Sequence, residues 1–154
     1  MTKITDRTTS ESKTDQIVRS YRLEDQIGFL LRKANQQHAS LFSQILNADL
    51  TPTQFAVLAK LFELGSVSQN RLGRLTAMDV ATIKGVIDRL RERGLARTRK
   101  DMTDKRRLLV ELTDSGKDMA MRTIPAANEI TKATLQRLKS SEKKQLANLL
   151  RKIS

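Results

Sequence analysis

The side chains of this sequence best suited to meeting another molecule are basic, and they cluster. Between Ser66 and Arg107 stand twelve Lys and Arg against five Asp and Glu, more than half of a formal net charge of +12. An excess of this size suits a polyanion, because each phosphate neutralised releases condensed counterions. The plain alternative is a basic protein that is merely soluble. The densest run is Asp101-Met102-Thr103-Asp104-Lys105-Arg106-Arg107. Arg106 is the expected minor-groove finger, since a narrow minor groove carries the most negative potential. Asp104 would brace it, with Lys105 or Arg107 on phosphates; an ordinary exposed charged turn is the alternative. Upstream, Ala81, Thr82 and Lys84 fall on one polar face of a helical segment. Threonine can touch a base edge or a thymine methyl, and lysine can donate to guanine O6 and N7. A solvated helix face is the plainer reading of Thr82. Gly85 permits close backbone approach there, at about 1 kcal/mol against alanine. Ser68, Asn70 and Arg74 suit phosphate contacts, which position a protein without specifying sequence.

Other chemistries lack their parts. The chain has no cysteine and one histidine, so thiol chemistry, catalytic triads and Cys- or His-based metal sites are not expected. There is no Gly-rich phosphate loop or nucleophile elbow, and Asp101 and Asp104 sit among arginines that would depress their pKa values. We expect no enzyme, no metal and no cofactor.

The elements that must position these residues follow from periodicity and capping. Residues 1–20 are rich in Thr, Ser, Lys and Asp and read as a flexible N-terminal arm. From Tyr21 a helical stripe runs through Leu23, Ile27, Leu30, Leu31, Ala34, His38, Leu41, Phe42 and Ile45. Its roughly 26 residues would span about 39 Å, too long for one small domain to cover, so a partner subunit is expected. Thr51-Pro52 opens a helix with Phe55, Leu58, Leu61 and Phe62 inward, ending near Gly65. Ser68 caps a short helix with Leu72 and Leu75 inward. Asp79 caps another, with Val80, Ile83, Val86, Ile87 and Leu90 inward and Gly94 after its end. Residues 95–99 and 108–112 are β-prone runs flanking a basic tip. Thr113 opens a long helix to about Leu138, kinked by Pro125. Ser140 opens a last helix with Leu146, Leu149, Leu150 and Ile153 inward. Two short helices, a tight turn and a basic hairpin make a winged helix-turn-helix, whose second helix suits a major groove about 12 Å wide. A helix-turn-helix serving protein contacts is the alternative. The fold class is mainly α with a small β-hairpin. No apolar run reaches the roughly 18–20 residues of a bilayer span, and the N-terminus lacks the apolar core of a signal peptide; a cytoplasmic location is expected.

The segments LTPTQFAVLAKL, SQNRLGRLTAMDVATIKGVIDRLRERGL and DMTDKRRLLVELTDSG resemble the MarR family of transcription regulators, in order and spacing, over about Tyr21 to Ile153. The wing signature D-x-x-D-K-R followed by L-T-x-x-G carries most of the likeness. RLEDQIGFLLRKANQQH and TAMDVATIKGVIDRL are similar to the nicotinate-pathway repressors within it. The resemblance implies one domain over 21–154, with dimerisation helices at 21–49 and 114–154 and a DNA-binding lobe at 50–113. It also implies an obligate homodimer on a palindromic double-stranded operator, usually repressing, and released by a small aromatic or heteroaromatic acid such as 6-hydroxynicotinate. One departure is Thr103, where many members carry Arg. A planar acid needs apolar walls and a cation; Arg32, His38, Phe55, Phe62 and Met78 are the nearest supply, although a lone histidine on an apolar stripe is otherwise a hydrogen-bonded core residue. The competing function is a sequence-independent architectural DNA- or RNA-binding protein without an effector. Four Phe and one Tyr argue against base-stacking platforms for single strands.

Overall fold

A computed structural model describes residues 12–46, 49–104 and 106–154. Seven α-helices and three short strands follow one another among these residues: α1 Lys13–Ser20, a 3₁₀ turn Leu23–Asp25, α2 Ile27–Leu46, α3 Pro52–Leu64, β1 Val67–Ser68, α4 Gln69–Leu75, α5 Val80–Glu92, β2 Ala96–Lys100, β3 Leu108–Leu112, α6 Asp114–Thr134 and α7 Ser140–Ile153. The chain divides into two compact units, 1–36 and 37–154. The boundary falls within α2, whereas the sequence pattern places a division after residue 20.

In the first unit, two expectations are corrected. Residues 13–20, expected to be part of an arm, form α1. No apolar period announces it; a local capping box closes it, Ser12 Oγ accepting from the Asp15 N–H at 3.2 Å and Asp15 accepting in turn from the Ser12 N–H at 3.2 Å. The remainder of the arm, 1–11, lies outside the described residues. The long helix starts at Ile27 rather than Tyr21, because the 3₁₀ turn intervenes. Its 20 residues span about 30 Å.

In the second unit, helix boundaries follow local chemistry. Thr51 and Gln54 form a capping box at α3: Oε1 of buried Gln54 accepts from the Thr51 N–H, and the Gln54 N–H donates to Thr51 Oγ1. Asp79 accepts from the Thr82 N–H at α5, and Thr113 from the Gly116 N–H at α6. Gly65 and Gly94 end α3 and α5 with φ of 76° and 68°, values open to glycine at no steric cost. Before α7 the helix N-terminus is held by Glu142, which accepts from the Lys139 N–H at 2.7 Å, and not by Ser140. α6 stops at Thr134, four residues short of the expected Leu138.

The core joins α3, α5 and the sheet. Leu58, Leu61, Leu72, Ile83, Leu90, Val110 and Ile130 are almost wholly buried, each worth about 1.5–3 kcal/mol of transfer free energy. The sheet order is β1-β3-β2, all antiparallel. β1 is an addition to the expected hairpin: its two residues pair with Val110 and Leu109. Gly116 explains the glycine of the L-T-x-x-G motif. It is buried where α6 begins against the end of α5, and a Cβ there would overlap the Leu95 carbonyl oxygen and stand 3.2 Å from Leu112 Cβ. Thr113 binds the same corner, its N–H donating to Leu95 O at 3.1 Å and its hydroxyl to Gly94 O at 2.6 Å.

In the DNA-binding region, Val80 (68%), Leu75 and Phe62, all expected inward, are exposed. Each sits in the first or last turn of its helix, where the helix end projects beyond the surface that buries its middle. In α7 none of the apolar residues is buried, and Leu149, Leu150 and Ile153 are exposed. No described helix is long and apolar enough to cross a membrane.

Candidate nucleic-acid interface

α4, the four residues after it and α5 form the helix-turn-helix. Leu72 anchors α4; Ile83, Val86, Ile87 and Leu90 anchor α5. The turn is held by Thr76, whose hydroxyl donates to Leu72 O at 2.7 Å, and by the Met78 N–H, which donates to Gly73 O at 2.9 Å. Ala77 takes a left-handed φ of 53° to complete it, a conformation that costs a non-glycine residue about 1 kcal/mol.

Ala81, Thr82 and Lys84 are exposed on α5, as their spacing suggested. Each polar one already has a partner within the helix. Thr82 donates its hydroxyl to Asp79 Oδ2 and its N–H to Asp79 Oδ1, both at 2.8 Å. The backbone bond and then the hydroxyl hold the Asp79 carboxyl below the usual carboxylate range. With its proton committed, Thr82 offers acceptor lone pairs and a methyl group rather than a donor. Lys84 Nζ donates to Asp88 Oδ2 at 2.8 Å and keeps two further N–H groups. That bond is the main cause of a lowered Asp88 pKa. Val80, which the sequence pattern assigns to the interior, adds an exposed isopropyl group beside Ala81 at the start of the helix. Periodicity could not find it, since residue 80 lies one helical step before Ile83 on the buried stripe.

The hairpin tip is organised by two aspartates. Asp101 Oδ1 accepts from the Thr103 N–H at 2.9 Å and from its hydroxyl at 2.8 Å. The Thr103 backbone bond leads the lowering of the Asp101 pKa. Thr103 therefore closes the turn. Asp104 Oδ1 accepts from the Arg106 backbone N–H at 3.0 Å, so it braces the loop rather than the guanidinium. Lys105 lies outside the described residues. Arg106 and Arg107 line, with Ser68, Gln69, Asn70 and Leu108, a cleft of about 270 Å³. The wing tip and the start of α4 thus converge, and four of the expected DNA contacts share one concavity. Ser68 makes no capping bond to α4. Arg74 is exposed in the last turn of α4 and does not line this cleft.

At the wing root lies a cluster that sequence reasoning missed. Glu111 on β3 faces Arg97 across the hairpin. Its Oε1 accepts from Arg97 Nε at 2.8 Å; its Oε2 accepts from Arg99 Nε at 2.9 Å and the Ser66 hydroxyl at 2.7 Å. Ser66, Arg99 and Arg97, in that order, bring the Glu111 pKa down to about 2.

The residues expected at an effector pocket are dispersed. Phe55 packs edge-on against Phe42 with ring centroids 5.8 Å apart, and Met78 packs against the core. Phe62 instead lines a cavity with Ser66, Arg97, Glu111 and Lys117. Arg32 belongs to unit 1–36, where its guanidinium lies 5.5 Å from the Phe29 ring centroid. His38 is half-buried, with Nδ1 2.9 Å from Thr134 Oγ1. Thr134 commits its one hydroxyl proton to Ile130 O at 2.8 Å, so the bond from His38 is Nδ1–H donating to the hydroxyl oxygen. With Nδ1 occupied, Nε2 is the ring nitrogen left to meet another molecule. Among the described residues no group of three or more His, Cys, Asp or Glu is arranged to hold a metal ion.

The sequence profile of the MarR family matches residues 50–108. The HTH-type transcriptional repressor NicR of Pseudomonas putida is 39% identical over 134 residues, covering 86% of this chain and 85% of that protein. A crystal structure of a probable transcriptional regulator from Pseudomonas aeruginosa matches with a TM-score of 0.84 at 49% identity, over 86% of this chain and 100% of that one. BpsR of Bordetella bronchiseptica, solved to explain regulation of its DNA binding by 6-hydroxynicotinic acid, matches with a TM-score of 0.82 at 38% identity, over 86% of this chain and 96% of that one.

Proposed function

The chain belongs to the MarR family of transcription regulators, and we propose that it works as a homodimeric repressor that binds a palindromic operator and releases it on binding a small heteroaromatic acid such as 6-hydroxynicotinate. The relatives are transcription regulators and not enzymes. The observation that carries the DNA-binding reading is the convergence of Ser68, Asn70, Arg106 and Arg107 on one cleft beside an α5 whose Val80, Ala81, Thr82 and Lys84 are all exposed. The cleft suits backbone phosphates. The exposed methyl groups of Val80, Ala81 and Thr82 suit thymine methyls, and Lys84 suits a guanine edge. Dimerisation, through 21–49 and 114–154 around a DNA-binding lobe at 50–113, is supported by the exposed apolar side chains of α7 and of Tyr21, Leu23, Ile27, Leu30 and Leu31. A cytoplasmic site of action accords with a DNA partner.

For the effector, the support is the likeness to BpsR together with His38. A bare Nε2 accepts a hydrogen bond from a ring N–H or hydroxyl of a hydroxypyridine acid, while Thr134 holds the imidazole in place. Release requires that the ligand prefer a conformation unable to engage both half-sites, and linkage then requires DNA to weaken ligand binding by the same factor. The test has two steps. A palindrome recovered by in vitro selection should bind about 10³-fold or more tightly than unrelated DNA at the same salt; comparable affinities would support the architectural alternative. Calorimetric titration of 6-hydroxynicotinate into the free protein and into the operator complex should then give unequal affinities. Equal values would remove the release mechanism, and absence of heat in both would remove this ligand class.

A further inference from the structure

The start of α5 carries a bond that helix capping alone does not require. Asp79 caps the helix through Oδ1, which accepts from the Thr82 N–H at 2.8 Å. Its second oxygen accepts the Thr82 hydroxyl, also at 2.8 Å. Threonines in α6 place their protons differently. Thr123, Thr131 and Thr134 each donate to the carbonyl four residues back, the usual outlet for a threonine within a helix. Asp79 and Thr82 are both exposed, as are Val80, Ala81 and Lys84 around them, so burial does not force the pairing. An ionised carboxylate offers only lone pairs, so the shared proton belongs to Thr82 and points at Asp79. Both Thr82 bonds hold the Asp79 carboxyl below the usual carboxylate range, which keeps it ionised at neutral pH. Outward, Thr82 is left with oxygen lone pairs and a methyl group. Lys84, two residues on, bonds Asp88 with one N–H and keeps two. The exposed face of α5 thus presents a fixed acceptor beside a donor.

We propose that Asp79 is a positioning residue that sets base preference through Thr82: by holding the hydroxyl proton, it makes Thr82 an acceptor that selects an A·T pair in each half-site. The inference rests on α5 entering the major groove, as the operator reading requires. In that groove adenine N6 and cytosine N4 are donors, whereas guanine N7 and O6 and thymine O4 are acceptors. A Thr82 oxygen without a proton to give pairs with the first two and meets the others lone pair to lone pair. The A·T pair adds the thymine C5-methyl, against which the Thr82 methyl packs, and so is favoured over the pair containing cytosine. Free of Asp79, a threonine hydroxyl turns either way and suits donors and acceptors alike. The carboxylate therefore converts a permissive side chain into a selective one, and the N-terminal end of the helix dipole favours its negative charge there.

The test is in vitro selection with the full-length protein, followed by binding of the recovered operator with single base-pair replacements at one salt concentration. Asp79→Asn keeps the cap, since asparagine is as good an N-cap as aspartate and its oxygen still accepts from the Thr82 N–H. Its amide group donates to Thr82 Oγ1 and frees the hydroxyl proton to point outward. At one A·T position per half-site the parent should lose about fivefold to tenfold in affinity when unsubstituted purine, which lacks the N6 amino group, replaces adenine. Asp79→Asn should erase that loss and shift the preference there towards guanine, with every other position unchanged, including the one read by Lys84. Thr82→Val, which removes the oxygen and keeps the shape, should erase the loss at the same position. Circular dichroism and the unfolding midpoint should match the parent in both variants. Identical base preferences in Asp79→Asn and the parent would overturn the proposal. So would uniform or complete loss of DNA binding by a folded Asp79→Asn, the result of a purely structural cap, or a preference that survives in Thr82→Val. A parent that selects no sequence would instead bring down the operator reading, and this inference with it.

Discussion

Gly116→Ala should destabilise this protein more than any surface substitution in the DNA-binding region. The added methyl group would overlap the Leu95 carbonyl oxygen, lie 3.0 Å from the Leu95 carbonyl carbon and press on Leu112 Cβ at 3.2 Å. Two of the three neighbours are backbone atoms, so no side-chain rotation relieves the clash. Either α6 retreats or the α5–β2 junction opens, and both stretch the Thr113–Leu95 bond of 3.1 Å. Overpacking of this kind costs about 1–3 kcal/mol, and a broken backbone bond adds about 1 kcal/mol. Alanine's better helix propensity returns at most about 1 kcal/mol. The net loss is about 1–3 kcal/mol, or roughly 2–12 °C in midpoint for a chain of this size. Thermal unfolding followed by circular dichroism at one fixed protein concentration measures it, since association would make the midpoint concentration-dependent. A variant as stable as the parent would show that α6 does not need to approach the Leu95 carbonyl so closely, and would refute the steric account of the motif glycine.

Gly85→Ala separates fold from function: with nothing within 4 Å of the added Cβ, urea unfolding should show about 0.5–1 kcal/mol of added stability, while operator binding weakens; unchanged binding would mean that the α5 backbone stays clear of DNA. Arg106→Ala should leave the unfolding midpoint unchanged, because the side chain is exposed, yet weaken operator binding and lower the slope of log K against log salt by about 0.9 for each phosphate no longer neutralised; equal binding at equal salt would remove Arg106 from the interface. Glu111 predicts an acid limb of stability. Its folded pKa of about 2 lies below the ordinary 4.5, so its contribution is complete above pH 4.5 and is lost as pH falls towards 2. Glu111→Gln should flatten that limb, and urea midpoints with the same pH dependence in both proteins would contradict the ion-pair cluster.

What the sequence made legible was mostly local. Thr51, Asp79 and Thr113 cap helices through bonds to residues three positions away, and Gly65 and Gly94 mark ends by backbone conformation alone. α1 is equally local, but its Ser12–Asp15 box stands before a stretch with too few apolar residues to show a period. Features that depend on distant partners left little trace. β1 is two residues long and exists because Val110 and Leu109, more than forty positions later, pair with it.

The same distinction governs the sites. Wing and recognition-helix residues were legible because charge density and a polar helix face are properties of short segments. Phe55 and Phe62 look equivalent in sequence, seven positions apart on one stripe. Yet Phe55 packs against Phe42 in the core, while Phe62, two turns on, emerges beside Arg97 and Lys117. Helical periodicity states which residues share a face; it cannot state where that face leaves the protein body. Glu111 was invisible for a related reason. In sequence it is one polar residue in an alternating strand, and only the register that sets it opposite Arg97, together with the arrival of Ser66, converts it into the anchor of three donors. A site assembled from three or four separate segments therefore has to be sought in the fold, and the wing root is the place in this protein where that difference matters most.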